Sequence, residues 1–281
     1  MDFSRALFDD KEGLLLLNDR LGSLYVYDFD RVKLVHKSRD QIKVRSPYIR
    51  RSITRHHGRI IYSDGHDTYI FEPPDALLPV DLPPGHILDD ELICHERSYF
   101  IISTRKAYEV DGRITACKYL DGPAIAYVKN YVTNFVYAGK RIRIRNDLIS
   151  FISCSFLGTL KGLLISIEPG VKLELGGSVR CILEDKETYV LVRRNGRSLV
   201  FRIADGEIIE RKPLKGRFNA LVKIDDTILA VGERIEEVLK RVLFTKPVYE
   251  MVPRSPPIRV PELVLDFLNA HHYHVRAVSR G

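Results

Sequence analysis

The chain has 281 residues, 45% of them hydrophobic and 29% charged, with a formal net charge of +7. That apolar content excludes a disordered polyelectrolyte, and no run approaches the roughly 18 apolar residues of a membrane-spanning helix. The opening MDFSRALFDD has neither a basic nor an apolar region, so the expectation is a cytoplasmic protein with no secretory leader and no membrane partner.

Trp is absent, Met occurs twice and Gln once, at Gln41, while ionic side chains are plentiful. Few labile residues with many ion-pairing groups is a thermophile pattern, and it suggests an archaeal source. Cys94, Cys117, Cys154 and Cys181 stand far apart without a CxxC pair, each in an apolar run. They read as buried reduced thiols rather than metal ligands.

Taken in chain order, one β-hairpin keeps returning. Residues 14–28 read LLLLN-DRLG-SLYVYD, residues 59–71 RIIYS-DGHD-TYIF, residues 99–111 YFIIS-TR-KAYEVD, and residues 188–203 TYVLVR-RNGR-SLVFRI. These runs are short, rich in Val, Ile, Tyr and Phe, and bounded by Gly, Asn and Asp, as strands and turns require. A short apolar run precedes each hairpin and another commonly follows it. Four up-and-down strands per unit, repeated, make an all-β β-propeller. Residues 1–252 are assigned to it, with seven blades favoured and six the alternative. The last unit departs from the pattern, because residues 233–244 (ERIEEVLKRVLF) carry helical spacing at Ile235, Val238, Leu239 and Val242. Residues 253–281 read as a Pro-rich linker and a helical tail, with a second helix over 261–271.

The hairpins resemble those of β-propellers of the WD-repeat, YVTN and quinoprotein-like kinds over most of the chain. The resemblance is architectural: Tyr131-Val132-Thr133-Asn134 spells YVTN once, and without Trp no WD signature is present. It implies a fold and supplies no functional residue.

Motifs of chemistry are sparse. The phosphate-cradling loop, the dinucleotide fingerprint, the nucleophile elbow and HExxH are all missing. No catalytic, cofactor or metal residue is therefore assigned. Asp64-Gly65-His66-Asp67 reads as a hairpin turn, and His271-His272-Tyr273-His274 as a polar tail. His56-His57 lies among arginines, which disfavour a cation. Doubled acids recur at first turns, as Asp9-Asp10, Glu184-Asp185 and Asp225-Asp226. Solvated turns explain them; converging channel carboxylates of a hydrolase or lyase are the enzymatic alternative.

Charge is unevenly laid out. Residues 37–59 hold eight basic residues and one acid, whereas residues 60–92 hold eight acids and neither Lys nor Arg. Second-to-third-strand turns and blade connections should emerge together on one rim. That places Lys43, Arg45, Arg50, Arg51, Lys140, Arg141, Arg193, Arg194, Arg197, Lys215 and Arg217 on one basic working face. The opposite face should be acidic, with Asp64, Asp67 and residues 89–91 as exceptions on the basic side and Arg55 and Arg59 on the acidic one. A non-catalytic scaffold with a protein partner, as a subunit of a larger complex, is the primary reading. Nucleic acid on the basic face is the alternative partner, with Tyr25, Tyr27, Tyr48 and Tyr69 as candidates to stack on bases.

Overall fold

The computed structural model describes residues 3–19, 23–28, 33–37, 52–73, 76–224, 227–232 and 235–240. The connection 38–51, with Lys43, Arg45, Tyr48, Arg50 and Arg51, lies outside them, as does the tail from 241 with its expected helix over 261–271. The described residues form 27 strands and no helix, so none of them builds a helix long and apolar enough to cross a membrane.

Six four-stranded antiparallel sheets and one three-stranded sheet follow one another along the chain. Blade 1 is β1 (Phe3–Asp9), β2 (Leu14–Asp19), β3 (Leu24–Asp28) and β4 (Lys33–Lys37). Blade 2 is β5 (Ile53–His56), β6 (Arg59–Ser63), β7 (Thr68–Glu72) and β8 (Ala76–Val80). Blade 3 is β9 (Ile87–Asp89), β10 (Leu92–His95), β11 (Ser98–Ile101) and β12 (Lys106–Glu109). Blade 4 is β13 (Arg113–Tyr119), β14 (Pro123–Lys129), β15 (Val132–Tyr137) and β16 (Lys140–Arg145). Blade 5 is β17 (Ile149–Ile152), β18 (Phe156–Thr159), β19 (Leu163–Ser166) and β20 (Lys172–Glu174). Blade 6 is β21 (Ser178–Glu184), β22 (Thr188–Arg194), β23 (Arg197–Ala204) and β24 (Glu207–Leu214). The closing sheet is β25 (Phe218–Ile224), β26 (Thr227–Gly232) and β27 (Ile235–Lys240). Six four-stranded blades are thus complete among the described residues, the count expected as the alternative rather than the favoured seven, and a three-stranded sheet closes the ring.

The first strand of each sheet meets the first strand of the next, and β25 meets β1, so the sheets stand radially in a closed ring. The core lies in the seams between them. Leu14, Leu15, Leu16 and Leu17 are all buried because blade 1 is covered on both sides. Alternation sends Leu15, Leu17, Tyr25 and Tyr27 against Ala220, Val222 and Ile224 of the closing sheet, while Leu14, Leu16, Leu24 and Val26 meet Ile53, Ile60 and Tyr62 of blade 2. Each fully buried leucine contributes about 1.5–3 kcal/mol relative to exposure. Every seam repeats this arithmetic, and no blade could bury its faces alone.

Two sequence expectations need correction here. Residues 235–240 form β27, paired antiparallel with β26, where a helix was expected. The register slips between Ile228 and Leu229, which leaves Val238 as an extra residue in β27. One inserted residue breaks strict alternation, and the resulting apolar spacing imitates a helical period. Cys94 and Cys117 form a disulfide between β10 and β13, joining blades 3 and 4, so these two are not reduced thiols. Cys154 and Cys181 form no disulfide; Cys181 is buried as expected, whereas Cys154 is exposed.

Candidate interaction surface

Antiparallel up-and-down strands divide the turns between two rims. Second turns and blade connections reach the upper rim; first and third turns reach the lower one. Near the upper end, β1, β13, β17, β21 and β25 each carry a register shift at one corresponding place. The residues thrown out of the ladder are Ser4, Thr115, Ser150, Arg180 and Asn219, all polar. A bulge frees one residue from pairing and re-aims its side chain.

Several of these side chains stitch the ring. Ser150 Oγ donates to Val179 O at 2.7 Å, crossing from blade 5 to blade 6. Arg180 Nη2 donates to Asn219 Oδ1 at 3.4 Å, and Arg193 Nη2 donates to the same oxygen. Asn219 Nδ2 then donates to Phe3 O at 2.7 Å, across the closing seam. Ser4 Oγ donates to Asn18 O at 3.1 Å, and Asn18 Oδ1 accepts Ser52 Oγ at 2.9 Å, at the edge of blade 2. Asn219 is 1% exposed, so its bonds form where water competes little. The sequence reading missed this set. Its only trace is a polar residue interrupting an apolar run, as in Phe218-Asn219-Ala220 or Val179-Arg180-Cys181.

Beside this network lies an arginine sector. Arg193 and Arg194 end β22, Arg197 opens β23, and Lys215 and Arg217 lie on the connection to β25. Arg194, Arg197, Lys215 and Arg217 are exposed. The sector is compact: the Arg217 guanidinium passes Gly196, and that of Arg194 passes Gly176 on the preceding connection. Gly196 holds φ +76°, which the tight turn between the two arginine-bearing strands requires.

Among the described residues the upper rim carries charges of both signs. Asp64, Asp67, Glu96, Asp111 and Asp147 share its turns and connections with Arg97, Lys161 and the sector above. Of the residues expected on one cationic face, the described ones that lie on this rim gather in one sector over blade 6 and the closing sheet, and Lys43, Arg45, Arg50 and Arg51 lie outside the described residues. Lys140 and Arg141 are also relocated. Pro123–Lys129 is the second strand of blade 4, so Lys140 opens its fourth strand and falls on the lower rim, where it pairs with Glu168. One strand of misphasing moved both residues to the wrong side. The Asp64 tetrad is a turn, since Asp64 Oδ1 accepts the His66 and Asp67 N–H groups at 2.8 and 3.0 Å. Tyr25 and Tyr27 are buried in the closing seam and present no ring to a base.

Among the described aromatic residues Tyr131 is the most exposed, well beyond Tyr108 at 41%. It is 85% exposed at the second turn of blade 4. Both turn residues have positive φ, Asn130 at 50° and Tyr131 at 62°. Asn-Gly suits such a turn, whereas holding a tyrosine there costs about 1–2 kcal/mol. A bulky ring in left-handed backbone, standing in solvent, has no packing role.

On the lower rim the doubled acids work as seam clamps. Arg55 of blade 2 bonds Asp9 at 2.8 Å and Asp10 at 3.1 Å in blade 1. Hydrogen bonding to that guanidinium holds the Asp10 carboxyl below its ordinary value. Asp89 accepts Tyr119 N at 3.0 Å across seam 3–4. Glu184 accepts Cys154 N and Ser155 N at 2.7 and 2.9 Å, and Lys223 meets Asp185 at 3.0 Å. These carboxylates are spread over successive seams rather than gathered as an acid–base pair. Asp225-Asp226 lies outside the described residues.

A closed ring of radial antiparallel sheets defines the chain as a β-propeller. No family model and no curated protein matches the sequence. Among solved structures it is similar to U3-55K, at 10% identity and TM-score 0.56 over 83% of this chain and 89% of that one. It is similar to the RRP9 WD40 repeats at 10% identity and TM-score 0.56, over 83% and 88% of the two chains. The β-propeller domain of Myceliophteria thermophila Cps50 (Swd1) gives 10% identity and TM-score 0.56, over 82% and 93%. At such identity the likeness concerns the fold.

Proposed function

We propose that this propeller is a non-catalytic scaffold that docks a protein partner on its upper rim. Tyr131 serves as the aromatic anchor, and Arg194, Arg197 and Arg217 meet an acidic patch. The observation that carries the reading is Tyr131, a ring kept in solvent at a backbone cost. Aromatic residues and arginines dominate the energetics of protein interfaces.

A protein fits this rim better than a nucleic acid does. Five described carboxylate side chains share the rim with the arginine sector, and a polyphosphate laid across them would be repelled. A protein can present matching charges of both signs. The structural relatives include a WD40 repeat domain and a named β-propeller domain, which is consistent with a scaffold role.

The test is affinity capture on immobilised full-length chain, with and without nuclease, beside Tyr131→Ala. A protein retained through nuclease and bound about thirtyfold more weakly by the variant is expected, the loss for an anchor worth roughly 2 kcal/mol. Loss of all captured material on nuclease treatment would transfer the role to nucleic acid.

A further inference from the structure

We propose that His56, His57 and Glu91 form a binding site for a divalent transition-metal ion of the zinc class, at the lower seam between blades 2 and 3. The three donor atoms lie within 4.8 Å of one another. His57 Nε2 is 3.0 Å from Glu91 Oε1, and His56 Nδ1 is 3.3 Å from the same oxygen. A tetrahedral ion with ligand bonds of about 2.0–2.1 Å sets its donors roughly 3.3 Å apart. Asp90 Oδ1 lies 3.9 Å from His56 Nδ1, just outside this group of three donors. Two imidazoles with a carboxylate suit zinc, nickel or cobalt rather than magnesium or calcium.

The surroundings favour an ion over a plain histidine–glutamate contact. His56 Nδ1 is buried and has no hydrogen-bond partner despite its proximity to Glu91. Ser103 N donates to Glu91 Oε2 at 3.1 Å, which fixes the carboxylate from behind and leaves Oε1 facing both rings. Backbone support of that kind is what orients a ligating carboxylate. His57 adopts φ +46° in the first turn, and the two rings meet edge to face with centroids 4.3 Å apart.

Of the arginines that flank this place in sequence, Arg55 is engaged elsewhere, Arg59 borders the cleft, and Arg50 and Arg51 lie outside the described residues. Arg55 turns to Asp9 and Asp10 in blade 1, and Arg105 pairs with Asp81. Arg59 and Arg105 line a cleft of about 590 Å³ that His56 also borders. The site is therefore reachable from solvent through that cleft.

The experiment uses full-length chain made without a polyhistidine tag, stripped with chelator and titrated with Zn²⁺ by calorimetry and with Co²⁺ by absorption. Wild type should bind one equivalent and show the ligand-field bands of a low-coordinate cobalt ion. His57→Ala and Glu91→Gln should each weaken binding by more than about tenfold. His57 is 75% exposed at its side chain, so its variant should keep the wild-type circular dichroism and melting curve. A triple His271→Ala, His272→Ala, His274→Ala variant should bind as wild type does. No binding by wild type, unchanged affinity in both site variants, or loss confined to the triple variant would each overturn the proposal.

Discussion

Asn219 concentrates much of the ring's polar logic in one side chain. Its carbonyl oxygen accepts from Arg180 and Arg193, and its amide donates to Phe3 O, at 1% exposure. Replacing it by alanine leaves a buried carbonyl and two guanidinium groups with fewer partners. An unsatisfied buried group costs about 1–3 kcal/mol. Asn219→Ala should therefore lower the urea midpoint with an unchanged slope, by the equivalent of about 2 kcal/mol. A shift below about 0.5 kcal/mol would mean that the stitch is ornamental. Nothing in composition announces this residue, because a bulge is read from pairing. Phe218-Asn219-Ala220 looks in sequence like any flawed apolar strand. Tyr131 was equally hidden, since its meaning depends on a positive φ that only the folded turn reveals.

The blade is legible in sequence because each hairpin carries its turn residues and its β-branched and aromatic runs together. RIIYS-DGHD-TYIF maps directly onto β6 and β7. Strand phase is harder to read. In blade 4 the turn at Asn130-Tyr131 joins the second and third strands, and assigning it to the first turn inverts the loops that follow it within that blade. In the closing sheet, one extra residue at Val238 makes a strand resemble a helix. Close seams also depend on residues that periodicity ignores. Gly158 in β18 is an example: a Cβ there would lie 2.3 Å from Val179 Cγ1 and 2.8 Å from its Cβ, across the seam to blade 6. The branched valine cannot withdraw without moving β21. Gly158→Ala should destabilise the protein by about 1–3 kcal/mol, the usual cost of overpacking. Thermal melting checks this, and a neutral result would show that seam 5–6 has slack.

At the scale of the whole molecule, closure is a packing event between the two ends of the propeller. Phe3, Tyr25 and Tyr27 of blade 1 are buried against Ala220, Val222 and Val231 of the closing sheet. Burial, and then the neighbouring Asp19 carboxylate, push the Tyr25 phenol well above its ordinary 10.0; burial does the same for Tyr27. A folded-state value above the unfolded one means that the native state holds protons more tightly at alkaline pH. Stability from these two groups is complete below pH 10 and declines as pH rises above it. Denaturant midpoints should hold from neutral to mildly alkaline pH and fall beyond 10, and Tyr25→Phe with Tyr27→Phe should flatten that fall. An identical alkaline decline in the double variant would place its cause in another seam.

The functional account rests on which rim is used. Hydrogen exchange on the complex with the captured partner reads this most directly, because buried turn amides slow while free ones do not. The account predicts added protection at residues 130–131, 194–197 and 215–217. Protection confined to the lower-rim turns around Glu91, Asp121 and Asp185 would contradict it.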